Sequence, residues 1–369
     1  MRIFRYLIRE TFKSQFAVLL VLMTIFVSQK FVRVLADASA GEIPSQVVMQ
    51  LLGLNLPALA ALILPLSLFL GILLAHGRIY ADNEMTVLHA CGVSEWYVAR
   101  VTLVLATLLA LCTAALTLYL VPWSLEQERL VEEKARSESG LSVIMPGRFQ
   151  QASNQKAVIY VQGLDANGDL DEVFVAQSLR DENNRIIGSS VVMADAGSVL
   201  AAATGAQNLV LNDGMRYAQS FVEREFQVMQ FDEYSLQIKE QETSEYIRKL
   251  ESYSTSELIG LDDVEAQAEL QWRIAIPLAM PLLTLIAVPL SRVNPRQGKF
   301  ARMAPALLIY LGYFLTLMAA RSAVADGTIP ASIGLWWIHV LLLLCGILLI
   351  AKGRPIGLRT LARLKGSRA

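Results

Sequence analysis

The sequence predicts a membrane α-helical fold: six transmembrane helices, in two sets of three (3+3), with a β-rich domain inserted between the sets. Three observations lead there. Six apolar stretches each approach the roughly 20 residues that a helical span needs. Short β-prone runs, separated by turn residues, fill the stretch between the third and the fourth. Lys and Arg gather in alternate connecting segments, as they do on the cytoplasmic side of a membrane. Composition agrees, with 54% of the 369 residues hydrophobic and 18% charged, where an ordinary soluble chain is about 25% charged.

The spans are expected near 14–35, 52–76, 98–121, 274–291, 303–322 and 333–351. Helices 1–3 then lie within residues 1–122 and helices 4–6 within 271–352, and a basic tail covers 353–369. The third span is uncharged from Val101 through Leu120. Pro57 and Pro65 predict that the second is kinked or broken in its outer half. The first begins like a secretory signal, with Arg2, Arg5, Arg9 and Lys13 before an apolar run and Ala38-Ser39-Ala40 imitating a cleavage site. Its apolar run exceeds the usual length of about 7–15 residues, so it is expected to be retained as a helix.

The basic residues give an orientation. They precede the first span, flank the second loop at Arg78 and Arg100, and fill the fourth at Arg292, Arg296, Lys299 and Arg302. They recur in the tail from Lys352 to Arg368. Loops 36–50 and 323–332 have Asp37, Glu42 and Asp326 and no basic residue. Both termini are therefore expected in the cytoplasm, and residues 123–270 outside it.

The external insert starts as a charged, helix-compatible segment over 124–140. Strands are then expected around 157–161, 172–176, 191–194, 209–211 and 226–231. Asn167-Gly168, Glu182-Asn183-Asn184 and Asn212-Asp213-Gly214 read as the turns between them. Regular strands at this spacing predict a sandwich or barrel-like sheet over about 140–240. Helix resumes with Ser256 as its expected N-cap.

Several chemistries are excluded. A net charge of −1 offers no field for a nucleic acid, and none is expected as a partner. Cys91, Cys112 and Cys345 form no disulfide or metal framework, and His76, His89 and His339 have no zinc-protease spacing. There is no phosphate-binding GxxxxGK[ST] loop and no GxSxG nucleophile elbow. The chain is read as a non-enzyme with no catalytic residue, metal or cofactor.

Two groups of residues stand out. Lys30, Arg33, Arg273 and Arg321 lie at the outer ends of spans, against the positive-inside bias. Each alone can snorkel to ordinary headgroups. Together, beside short loops that lack other cations, they point to a shared anionic ligand such as a phosphorylated glycolipid. The second group is a short amphipathic segment, about 80–92, in the loop after the second span. It has Glu84, Met85, Val87 and Leu88, with Asp82 or Asn83 expected to cap its start and Gly92 to end it. It suits docking of another subunit, and an interfacial helix lying on lipid is the alternative.

Seven motifs, in order and spacing, resemble the LptF/LptG family of lipopolysaccharide export permeases. They are Arg5-Tyr-Leu-Ile-Arg9-Glu-Thr, Ser28-Gln-Lys30-Phe-Val-Arg33, Leu64-Pro-Leu-Ser-Leu-Phe-Leu-Gly71, Glu84-Met-Thr-Val-Leu-His-Ala-Cys-Gly92, Gly147-Arg-Phe-Gln-Gln151, Glu269-Leu-Gln-Trp-Arg273 and Val288-Pro-Leu-Ser-Arg-Val-Asn-Pro-Arg-Gln-Gly298. The resemblance implies a bacterial inner-membrane permease with a periplasmic β-jellyroll-like domain. Its partners would be an LptG-like sister permease, an LptB-like ATPase dimer, an LptC-like bitopic protein and lipopolysaccharide. Glu84 matches the acidic position of the family's coupling helix, and Lys30 and Arg33 match basic positions near the lipid's phosphates. Arg273 and Arg321 carry that role on physical grounds alone. A reading from another class is a non-transporting receptor or assembly scaffold whose β domain binds a periplasmic protein.

Overall fold

The computed structural model describes residues 2–39, 43–138, 146–151, 157–164, 169–180, 186–201, 207–221, 225–239, 248–293 and 303–352. Two compact units emerge. One comprises residues 1–33, 50–129 and 249–369; the other comprises 34–49 and 130–248.

The helical unit is built on α1 (Arg2–Ser39), α2 (Val48–Ala81), the short α3 (Glu84–Ala90), α4 (Glu95–Ala115) and α5 (Val121–Glu138). After the insert come α6 (Thr255–Gly260), α7 (Val264–Leu290), α8 (Met303–Ala325) and α9 (Trp336–Lys352). Among the described residues, five continuous helical stretches are long and apolar enough to cross a membrane, and α9 is a shorter apolar helix. The protein is thus a multi-pass helical membrane protein. At the center of the bundle is α7, packed against α4, α8 and α9. The most apolar window of α7 is 72% buried and that of α2 is 61% buried, whereas only 6% of the α1 window and 22% of the α8 window are covered. The lipid-like faces of α1 and α8 are thus left open, with Phe12, Phe16, Leu308 and Leu315 exposed.

Prolines shape this unit without breaking its helices. The helix α2 runs unbroken through Pro57 and Pro65. Each proline removes a single backbone hydrogen bond, and packing of the buried Ala61, Leu64 and Leu68 around them keeps the helix continuous. Pro122 and Pro277 have a second effect. Pro122 cannot donate to the carbonyl of Leu118, and the chain forms a π-helical turn at Leu116–Leu120 just before it. The freed Leu118 carbonyl accepts from the Thr255 hydroxyl at 2.5 Å. Pro277 likewise frees the carbonyl of Arg273, which accepts from the Thr117 hydroxyl at 2.9 Å. Two threonines thereby stitch the end of α4 to α6 and α7. Thr117→Val and Thr255→Val are each expected to cost about 1–2 kcal/mol by orphaning a carbonyl, read as a lower unfolding temperature of the purified protein. The cap of α6 lies two residues before the expected one: Ser254 forms a capping box with Glu257, which Ser256 has no glutamate in position to complete.

The second unit is an antiparallel sheet. A three-residue β1 (Phe149–Gln151) precedes five longer strands, β2 (Ala157–Leu164), β3 (Leu170–Arg180), β4 (Ile186–Ala201), β5 (Gln207–Ser220) and β6 (Phe226–Lys239). All five expected runs fall in these strands. Alternate residues, including Ile159, Val161, Val173, Val175, Val192, Leu209 and Leu211, form its core. The order is β1-β2-β3-β4-β5-β6. Among the described residues every strand pairs with its sequence neighbour in an antiparallel meander, since short connections favour hairpins over crossovers. Asn212-Asp213-Gly214 is not a turn. It lies inside β5, where Asp213 has φ of 52° and interrupts the pairing. A Cβ on Gly214 would collide with the Met193 carbonyl and the Phe231 ring, so the strand needs glycine at this point. The turns expected at Asn167-Gly168 and Glu182-Asn183-Asn184 lie outside the described residues.

Candidate functional site

Arg273 and Arg321 meet around Glu269. The i, i+4 spacing on α7 puts Glu269 Oε1 at 2.9 Å from Arg273 Nε. Glu269 Oε2 accepts from Arg321 Nη2 at 2.7 Å, and Glu251 Oε1 accepts from the same nitrogen at 3.1 Å. The Arg321 guanidinium lies over the Trp272 ring, 5.0 Å from its centroid. Its Nε and Nη1 make no hydrogen bond among the described residues. A cavity of about 260 Å³ opens here. Ala58, Ala61, Leu62, Leu125 and Ile276 give it an apolar wall, and Arg321 stands at its charged end beside Glu251 and Glu269. Such a cavity suits a molecule with an apolar body and an anionic group.

Arg273 departs from its expected role. Its side chain is 3% exposed. Nη1 donates to Tyr253 O and Thr255 Oγ1, and Nη2 donates to Leu250 O and Glu251 O. With Nε on Glu269, all five guanidinium donors are spent on the protein. Arg273 therefore has nothing left for a ligand. It ties α7 to the segment that returns from the insert and orients Glu269 toward Arg321.

Lys30 is half-buried in a loose ion pair, 3.9 Å from Glu128 on α5. Glu128 also accepts from Asn55 Nδ2 at 2.6 Å, and it lies one turn beyond Leu125 of the cavity wall. Arg33 is exposed and has no side-chain partner among the described residues. The carboxylates of this region, Glu128, Glu251 and Glu269, escaped the sequence reading. Only Glu269 left a signal, as an acid four residues from a misplaced arginine.

The second group surrounds α3. Glu84 opens this helix and is exposed. The Tyr6 hydroxyl donates to Glu84 Oε2. Met85 is fully buried in the helical core, so it anchors α3 and offers nothing to a partner, contrary to its expected role. Val87 is 61% exposed and Leu88 is half-buried. The Nδ1 of His89 lies 2.6 Å from the Val93 carbonyl, and Gly92, at φ of 89°, ends the helix as expected. Neither Asp82 nor Asn83 caps the start: Asn83 occupies the capping position in a left-handed conformation without a side-chain hydrogen bond. Around α3, Glu10 pairs with Arg78 and Lys13, and Glu95 pairs with Arg292.

Residues 5–352 match the family model described as "Lipopolysaccharide export system permease LptF/LptG". The chain belongs to the LptF/LptG permease family. The match covers both helical halves and the sheet. The permease is 37% identical to the lipopolysaccharide export system permease protein LptF of Escherichia coli K12 over 349 residues, 95% of this chain and 94% of that one. The same figures hold for LptF of Shigella flexneri. As an LptF/LptG member, the chain is the transmembrane permease type of subunit and not the ATPase.

Proposed function

We propose that this permease extracts lipopolysaccharide from the outer leaflet of the bacterial inner membrane and passes it through its inserted sheet toward the outer membrane. ATP is hydrolysed by a separate subunit. The observation that carries the reading is the amphipathic cavity beside Arg321, with Lys30 paired to Glu128, one helical turn beyond Leu125 of its wall. An acylated, phosphorylated lipid has the matching chemistry. Lys30, Arg33 and Arg321 bind its phosphates, and Arg273 holds the carboxylate that positions Arg321.

Six helices span the membrane in this reading, with α9 as the sixth. Its 17 residues extend about 26 Å at 1.5 Å per residue, within the range of observed spans. Both termini are cytoplasmic and the sheet is periplasmic. An LptG-like sister permease completes the cavity. An LptC-like bitopic protein joins the assembly, and an LptB-like ATPase dimer docks on the face of α3, where Glu84 and Val87 project and Leu88 supports them.

Replacing Lys30 and Arg33 together by glutamine tests the lipid site. Photo-crosslinking of lipopolysaccharide to a probe in the cavity wall is expected to fall several-fold, with normal assembly of the complex. Unaltered crosslinking would mean that these cations only snorkel to headgroups.

A further inference from the structure

We propose that Tyr6 is a positioning residue for Glu84, through which the coupling helix α3 senses the position of α1. The proposal rests on the reading that Glu84 engages the ATPase. It starts from how α3 is held. The fully buried Met85 anchors the body of this helix in the bundle, and the His89–Val93 hydrogen bond closes its far end. Its first turn lacks a side-chain cap at Asn83. The Glu84 carboxylate at that end is tied to α1, by the Tyr6 hydroxyl. Among the described residues the second oxygen of Glu84 has no partner, so it can accept from a donor on a docked subunit while Tyr6 holds the first.

The other end of the link is Lys30. A single unbroken helix, α1, contains both residues. They are separated by about 36 Å at 1.5 Å per residue. Tyr6, Glu10, Thr11 and Gln15 lie within three turns at the start of α1. Glu10 pairs with Arg78, the Thr11 hydroxyl is 3.2 Å from His76 Nε2, and Gln15 packs on Gly71, all on α2. Since α1 is otherwise little covered, a shift of this helix when an anion engages Lys30 changes the geometry at these few ties. Tyr6 is the one that reaches α3. A phenol–carboxylate hydrogen bond suits the task because it is directional and weakens steeply with misalignment.

A double-mutant cycle tests the proposal in the whole transporter, reconstituted in proteoliposomes with its sister permease, ATPase and bitopic partner. The readout is lipopolysaccharide released per ATP hydrolysed. Tyr6→Phe removes the hydroxyl and keeps the ring, and it is expected to lower this ratio several-fold. The same change in a Glu84→Gln background is expected to cause no further fall, because the two residues act as one unit. A Tyr6→Phe effect that persists in full beside Glu84→Gln assigns Tyr6 a merely structural role and overturns the proposal. An unchanged Tyr6→Phe ratio beside a defective Glu84→Gln overturns the Tyr6 role alone. An unchanged Glu84→Gln ratio overturns the coupling role of Glu84, and the Tyr6 proposal falls with it.

Discussion

Replacing Glu269 by alanine is expected to destabilise the helical unit by about 3–5 kcal/mol, because it strands a buried cation. The Arg273 side chain is 3% exposed and that of Glu269 is 7% exposed, so water does not screen their pair. Without the carboxylate, Arg273 Nε loses its acceptor and Arg321 loses the closer of its two acids. Glu269→Gln keeps an acceptor and is expected to fall between wild type and alanine. Replacing Glu269 and Arg273 together by Leu and Met, which removes both charges, is expected to restore much of the lost stability. Thermal unfolding of the purified proteins reads all three. Equal unfolding temperatures for wild type and Glu269→Ala would show that the pair is solvated. The double replacement also separates the two arginines: it leaves Arg321 with Glu251 alone, so any change in lipid binding by the stable double variant reports on the positioning of Arg321.

What could be read from the sequence follows from the range of the physics involved. The strands in 157–231 and the helices on either side were legible because alternation and apolar length record burial locally. The Glu269–Arg273 pair was legible in principle, since its spacing brings both onto one helical face. Glycine at 92 was legible because a left-handed terminus demands it. Lys30 and Glu128 were not, because their proximity depends on how α1 and α5 dock. Tyr6 and Glu84, 78 residues apart, were hidden for the same reason. Local rules misled where the chain solved a problem over a longer distance. Asn212-Asp213-Gly214 has turn composition, yet the strands on both sides of it keep their register past it and hold it within β5. Arg273 looked like a ligand cation because nothing near it in sequence, apart from Glu269, reveals the four carbonyl and hydroxyl oxygens that converge on it from residues 250–255.

Gly71→Leu is expected to displace α1 and to lower lipopolysaccharide transport at least tenfold, whereas it should leave the α4–α7–α9 core intact. A Cβ at position 71 would lie 2.5 Å from Gln15 Cα and 2.7 Å from Gln15 N. Those are backbone atoms, so no rotamer change relieves the overlap. One helix must move, and the burial contrast decides which. The α2 window is 61% buried and the α1 window 6%, so α1 gives way. Overpacking of this kind costs about 1–3 kcal/mol, comparable with the few hydrogen bonds that hold α1 near this point. Thr11–His76, Glu10–Arg78 and Tyr6–Glu84 would then loosen together, and Lys30 would shift from Glu128 at the far end. Gly71→Ala makes the same contact with a smaller side chain and is expected to give a partial loss. Spin labels on the exposed Phe16 and Leu108 would measure the displacement, and reconstituted export would measure the loss. Wild-type export by Gly71→Leu, with labels at their original separation, would show that α1 does not dock on α2 at Gly71. Displacement of α1 with full export would show something different: that α1 docks there without carrying the coupling.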